Sequence, residues 1–187
     1  MQEWKTLNRR TVLRAGDGAF LSVEYHRVQL PDGRLIEEWP WVITPDYVNV
    51  LAETTGGSFI CFRQTKYAAD AVGLAIVGGY LEVGEEPLAS AQRELLEETG
   101  YTAPDWISLG SYAVDGNRGC GVAHFFLARG ATWSQSIDAD DLEEQEMLLL
   151  NRDELLQALL AGQFRVLPWA AAASLALLHL QSLEATS

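Results

Sequence analysis

The sequence predicts an α/β sandwich in which three helices cover a sheet of mixed strands. Three observations lead there. Short β-rich segments separated by turn residues fill residues 11–64, a helical period is bracketed by Pro87 and Gly100, and an Ala- and Leu-rich segment lies near the end. With 187 residues, 48% of them hydrophobic and 21% charged, the chain suits a single well-buried domain.

Leu21, Val23 and Tyr25 alternate with Ser22, Glu24 and His26, the period of a strand with one buried face, and Pro31-Asp32-Gly33 then predicts a hairpin turn. Residues 47–52 and 58–63 are apolar and β-rich on either side of Thr55-Gly56-Gly57, which predicts a second hairpin. Residues 73–78 read as another short strand. Pro87 suits the first turn of a helix and Gly100 a left-handed cap. Between them Leu88, Ala91 and Leu95 recur at helical spacing, which predicts one buried stripe. Strands follow at residues 107–114, 121–128 and 147–150, and Asn151 is placed to cap a helix ending near Gly162. The last helix, residues 168–183, is apolar nearly all round and is expected to lie buried against the sheet or a second subunit.

Thirteen Lys and Arg against 26 Asp and Glu leave a net charge of −13, so the average field repels phosphate polymers and no nucleic-acid partner is expected. A small phosphate ligand would need local positive charge from arginines or bound cations. Residues 1–10 are polar, and no segment reaches the roughly 20 apolar residues of a membrane span. A cytoplasmic protein with no membrane partner is expected. Cys61 and Cys120 could form at most one bridge and are read as reduced, packed side chains.

The informative stretch runs from Gly79 through Glu85 and Arg93 to Tyr101. Glu94, Glu97 and Glu98 stand at i, i+3 and i+4, so their carboxylates share one helix face, where like charges oppose one another by a few tenths of a kcal/mol per pair, about the size of other helix-surface pairs. They also sit in the last turns, where the helix dipole is already negative. A solvated acidic face is one explanation. A hard divalent cation held by carboxylate oxygens beside a glycine-rich loop is the other.

The flanking residues favour the second. Gly79, Glu85, Arg93, Glu94, Leu95, Glu97, Glu98, Gly100 and Tyr101 fit every fixed position of the Nudix box, a glycine, five residues, a glutamate, seven residues, then REUxEExGU with U apolar, and the chain thus resembles a Nudix hydrolase. The resemblance implies a loop–helix–loop motif in a Nudix-type α/β/α sandwich with a mixed sheet and N-terminal antiparallel strands. It implies Mg²⁺ (or Mn²⁺) held by Glu94, Glu97, Glu98 and the carbonyl of Gly78, with Gly79, Glu85 and Gly100 as structural support. Glu97 and Arg93 count among the catalytic residues, Arg93 by tying the acidic cluster to Glu85. The implied chemistry is attack of a cation-activated water on phosphorus.

Outside the box, Arg63-Gln64, the segment at residues 149–155 and the terminal helix resemble the ADP-ribose pyrophosphatase and nucleoside diphosphate sugar hydrolase group. Arg63 then either contacts a substrate phosphate or sits in a surface ion pair. A general base is expected within residues 141–146, Glu143 first and Glu144 second, although a solvated acidic loop accounts equally for any one of them. Two departures from the group bear on substrate. Where its members have Glu-Leu-Pro-Ala-Gly entering the box, this chain has Ala75-Ile76-Val77-Gly78-Gly79, and the region past the box lacks their proline. There Asp115, Asn117 and Arg118 form either a recognition loop, with Arg118 on phosphate or sugar, or a plain turn. Trp39 and Trp41 either help build a dimer and stack on the base or pack in a core. His124 is read as structural, and no His–Cys zinc site is expected.

The resemblance thus implies one domain over residues 1–187, with about 1–45 as N-terminal strands for dimerisation and 46–187 as catalytic core. It implies a homodimeric pyrophosphohydrolase acting on a small nucleoside diphosphate derivative such as ADP-ribose. The competing functions are a nucleotide sensor that does not hydrolyse, which the intact box argues against, and a housecleaning enzyme for nucleoside triphosphates.

Overall fold

The computed structural model describes residues 2–16, 20–136 and 144–185. Among them are strands β1 (Lys5–Ala15), β2 (Leu21–Gln29), β3 (Leu35–Ile43), β4 (Tyr47–Thr54), β5 (Phe59–Gln64), β6 (Gly73–Ala75), β7 (Val77–Tyr80), β8 (Tyr101–Thr102), β9 (Asp105–Asp115), β10 (Gly119–Trp133) and β11 (Gln145–Leu150). The helices are α1 (Pro87–Thr99), α2 (Arg152–Leu160) and α3 (Leu167–Glu184). The chain divides into two compact units, Met1–Asp46 with Tyr112–Ala123, and Tyr47–Ser111 with His124–Ser187.

In the first unit β1, β2 and β3 form an antiparallel meander. The β2–β3 turn is set by Gly33, at φ +89°, and by Asp32, whose Oδ1 accepts from the Arg34 N–H at 3.0 Å. β1 begins earlier than the alternation suggests. Ten of its eleven residues are exposed, so it has no buried face to impose a period, and its order comes from the backbone ladder to β2. The β9–β10 turn belongs to this unit and carries a single parallel bridge, Gly119 to Val42.

In the second unit β4 pairs antiparallel with both β5 and β7, and β5 with both β6 and β11. Val48, Asn49, Val50, Leu51 and Ala52 are all buried, so β4 needs cover on both faces, and α1 and α3 both pack against it. The single strand expected over residues 73–78 is two strands. The chain leaves β5 after Ala75 and joins β4 at Val77, and this change of partner falls at Ile76.

Pro87 stands in the first turn of α1, and Gly100 closes it at φ +73° with its N–H on the Leu96 carbonyl at 2.8 Å. A Cβ on Gly100 would also lie 2.0 Å from the Gln135 carbonyl oxygen, so glycine is required twice over. Ala91 and Leu95 pack against Val48, Val50, Ala75 and Val77, as expected, but Leu88 does not join the stripe: it is 42% exposed. Seven residues are nearly two full turns, so Leu88 shares the side of Leu95, and its exposure follows from its place in the first turn. Ser90 and Thr99 are buried instead. Asn151 caps α2 through a capping box, its Oδ1 accepting from the Glu154 N–H at 3.0 Å while Glu154 accepts from the Asn151 N–H at 2.8 Å. α3 is apolar all round but buried on one face only. Ala172, Ala173, Ala176, Leu177 and Leu180 are covered, whereas Leu167 and Leu178 face solvent.

Candidate active site

The site is built where β7 runs through a loop into α1. Glu85 folds that loop on itself, donating its own N–H to the Glu82 carbonyl and accepting the Glu82 N–H at Oε2, each at 3.0 Å. Gly84, at φ +80°, allows the turn.

Arg93 organises the acids. Its Nε and Nη2 donate to the two oxygens of Glu85, each at 3.0 Å, in the bidentate geometry that suits guanidinium and carboxylate. Its Nη1 donates to Glu94 Oε1 at 2.7 Å and Glu97 Oε2 at 2.9 Å, and Nη2 also reaches the Tyr80 carbonyl at 3.2 Å. One cation therefore serves three carboxylates. Hydrogen bonds from Arg93 hold the Glu85 carboxyl down to about 2, well below the usual range. Glu94 shifts upward, because its burial outweighs the help from Arg93.

The glycines bring the strand close to these acids. A Cβ on Gly79 would lie 2.1 Å from Glu94 Oε1, and the Gly78 N–H donates to Glu98 Oε2 at 3.1 Å. Among the described residues no three His, Cys, Asp or Glu side chains converge tightly enough to cage a cation alone. The carboxylates that approach Gly78 and Gly79, those of Glu98 and Glu94, nonetheless offer oxygen ligands, and a hard divalent cation completes its shell with water and substrate phosphates. The burial penalty on Glu94 is also of the kind a cation offsets. The residues fit such an ion.

The box residues are thus brought together. Arg63 is on β5, its Nη1 2.7 Å from Glu146 Oε2 across the β5–β11 ladder, in an exposed ion pair. Glu144 is exposed immediately before β11, and Glu143 lies outside the described residues. Trp41 belongs to the first unit, where it stacks on His26 with ring centroids 5.3 Å apart. Arg118 is in the β9–β10 turn of that unit, a compact Asx-type turn in which Asp115 Oδ1 accepts from the backbone N–H groups of Asn117 and Arg118. His124 Nδ1 is 2.8 Å from Ser111 Oγ.

One feature of the site escapes sequence reasoning. A cavity of about 310 Å³ opens beside Gly78 and Gly79 and is lined by Tyr47, Asn49, Lys66, Tyr80 and Trp169 among others. Its only sequence signal is a polar residue, Asn49, inside the apolar run of β4.

The family model for the NUDIX domain matches residues 44–170, well over half of the chain. The chain belongs to the Nudix family. This Nudix hydrolase is similar to the ADP-ribose pyrophosphatase of Bacillus subtilis (strain 168), at 30% identity over 156 residues that cover 82% of this chain and 84% of that one. It is also similar to the methanol dehydrogenase activator of Bacillus methanolicus, 31% identical over 143 residues, 75% of this chain and 76% of the relative. Among solved structures, an ADP compounds hydrolase superposes with a TM-score of 0.82 at 19% identity, covering 98% of this chain and 97% of the other. That likeness bears out the Nudix-type α/β fold.

Proposed function

We propose that this Nudix hydrolase is a divalent-metal-dependent pyrophosphohydrolase of a nucleoside diphosphate sugar, with ADP-ribose the first substrate to test. The observation that carries the reading is the arrangement of Arg93. It gathers Glu85, Glu94 and Glu97 while Glu98 is held against the Gly78 backbone, so oxygen donors line one loop–helix junction. The likeness to an ADP-ribose pyrophosphatase supports the substrate.

Glu94, Glu97, Glu98 and the carbonyl of Gly78 are the groups we assign to Mg²⁺ (or Mn²⁺). When bound, the cation would neutralise diphosphate oxygens and acidify a water. Arg93 holds the carboxylates in place, and Glu85 holds Arg93. Glu143 or Glu144 takes the proton of the attacking water. Water adds to one phosphorus, the bridging P–O bond breaks, and two monophosphates leave. Arg63 is assigned to a substrate phosphate; releasing it from Glu146 costs little, since exposed pairs contribute about 0–1 kcal/mol. Trp41 and Arg118 are assigned to the base and a phosphate in a complex that frees them from His26 and Asp115.

Incubation with ADP-ribose, GDP-mannose, other sugar nucleotides and deoxynucleoside triphosphates, with and without Mg²⁺, tests the proposal. AMP and ribose 5-phosphate are expected from ADP-ribose only with the cation. No turnover of any compound, or undiminished turnover by Glu98→Gln, would remove it. Release of inorganic pyrophosphate from the triphosphates would assign the enzyme to housecleaning. We further assign a homodimer in the cytosol. Leu160, Leu167 and Leu178, exposed by 74%, 79% and 60% on α2 and α3, support the dimer, and a monomeric mass by light scattering at micromolar concentration would contradict it.

A further inference from the structure

Asn49 is the one polar residue in the buried run of β4, and it is 3% exposed. Its Oδ1 is shielded from solvent and has no hydrogen-bond partner among the described residues. A buried carbonyl oxygen left in this state carries its full desolvation penalty unless a donor reaches it.

The position of the amide shows where that donor must stand. Asn49 pairs with Gly78 across the β4–β7 ladder, and a Cβ on Gly78 would lie 2.2 Å from Asn49 Nδ2 and 2.6 Å from the Val48 carbonyl oxygen. The asparagine side chain therefore occupies the room that glycine leaves. An alanine, which stands at this point in the motif Glu-Leu-Pro-Ala-Gly, would require the amide and the Val48 carbonyl to shift. Asn49 is also among the residues that line the cavity of about 310 Å³, together with Tyr47, Lys66, Gly78, Tyr80 and Trp169. Tyr47 and Tyr80 meet edge to face, with centroids 6.4 Å apart, and give that cavity an aromatic wall.

We propose that this cavity is a sugar subsite, in which Asn49 Oδ1 accepts a hydrogen bond from a substrate hydroxyl and so selects substrates that carry one there. The proposal rests on the nucleoside diphosphate sugar reading above. Asn49 lies against Gly78, the residue assigned to the diphosphate end of the site. The groups of such a substrate closest to its diphosphate are sugar hydroxyls, whereas the exocyclic amine of a base is a whole ribose away. The volume is at the small end of the range for ligand pockets, about 300–1,000 Å³, and suits one sugar ring rather than a dinucleotide. Aromatic walls suit the C–H faces of a sugar, and a carbonyl acceptor suits a hydroxyl.

Two measurements test it. In ¹⁵N–¹H spectra the side-chain amide of Asn49, identified by its absence from Asn49→Leu and Asn49→Ala, is followed with ribose 5-phosphate, AMP and 2′,3′-dideoxy-AMP, each in Mg²⁺. A shift with ribose 5-phosphate places the terminal sugar there, and a shift with AMP that the dideoxy compound abolishes places the nucleotide ribose there. No shift with any probe, or one that survives in 2′,3′-dideoxy-AMP, overturns the proposal. In kinetics Asn49→Ala is expected to raise KM for ADP-ribose about tenfold, the size of one lost hydrogen bond, with kcat and Tm little changed. An unchanged KM also overturns it. Wild-type protein that cleaves no sugar nucleotide would sink the substrate reading instead, and the spectra report on Asn49 independently of turnover.

Discussion

The backbone N–H of Gly78 donates to Glu98 Oε2 at 3.1 Å, which ties the last turn of α1 to the start of β7. A glutamine at position 98 can accept the same bond through its amide oxygen, and an alanine cannot. Glu98→Ala is expected to lose about 1 kcal/mol of stability, the worth of one hydrogen bond, and Glu98→Gln clearly less. Both should lose at least about a hundredfold in turnover, roughly 2.7 kcal/mol of barrier. Thermal unfolding and initial rates separate the two effects, and equal destabilisation by both substitutions would show that the bond contributes nothing.

Arg93 makes its contacts as a fork, with Nε and Nη2 on Glu85 and Nη1 on both Glu94 and Glu97. A lysine keeps the charge but has one nitrogen and no planar geometry to bridge them. Arg93→Lys should therefore cost about 1–3 kcal/mol, toward the lower end because a quarter of the Arg93 side chain is exposed. Arg93→Met, which strands the carboxylates, should cost more. The expected signature is a lower urea midpoint at unchanged slope, and an unaltered midpoint in Arg93→Lys would refute the fork.

Gly79 leaves no room for a methyl group, because its Cβ would sit 2.1 Å from Glu94 Oε1. The obstacle is the end of a flexible side chain, so Gly79→Ala should fold and displace Glu94 from Arg93. Activity is expected to fall on the order of a hundredfold, while Tm drops by only a few degrees, about what 1 kcal/mol produces in a domain of this size. A variant as active as wild type would mean that the position of Glu94 is immaterial to the chemistry.

How much of this was legible in the sequence follows from how local each cause is. Gly100 and Asn151 mark helix ends through bonds closed within four residues and Pro87 through its fixed φ and missing N–H, and all three ends lie where the residues put them. β1 could not be read over its full length, because nothing in it is buried and its only constraint is a ladder to β2. The break at Ile76 is set by a change of partner between β5 and β4, which no local pattern encodes. The site divides in the same way. Glu94, Glu97 and Glu98 share a face by helical spacing alone. The cavity joins Tyr47, Asn49 and Trp169 from distant segments, so only the fold discloses it.

Glu85 gives the acid limb of stability a definite sign. Its carboxyl falls from 4.5 to about 2 on folding, mainly through hydrogen bonds from Arg93. A depressed carboxyl contributes stability that is complete above the unfolded value and is lost as pH falls through the folded one. Wild type should therefore exceed Glu85→Gln at pH 6, with the gap narrowing below about pH 4.5 and closing near pH 2. Urea unfolding at a series of pH values measures the gap. A gap that stays constant with pH would mean that the ionised carboxylate is not the stabilising form.

Cys61 and Cys120 are both free thiols, and their settings predict opposite reactivity. Cys61 lies on β5 opposite Leu148 of β11 with no exposed surface, and burial pushes its thiol up to about 12. Only the thiolate reacts, and at pH 8 that shift leaves a fraction on the order of 10⁻⁴ ionised. Cys120 is partly exposed, between Gly119 and Gly121 at the start of β10. An aromatic disulfide reagent at pH 8 should therefore modify one thiol per native chain, at Cys120. Cys61 should follow only at the rate at which β5 separates from β11, and a sub-denaturing concentration of urea should accelerate the second phase without altering the first. Peptide mapping after the first phase identifies the labelled residue. Two thiols modified at one rate in native buffer would show that the β5–β11 pairing does not protect Cys61.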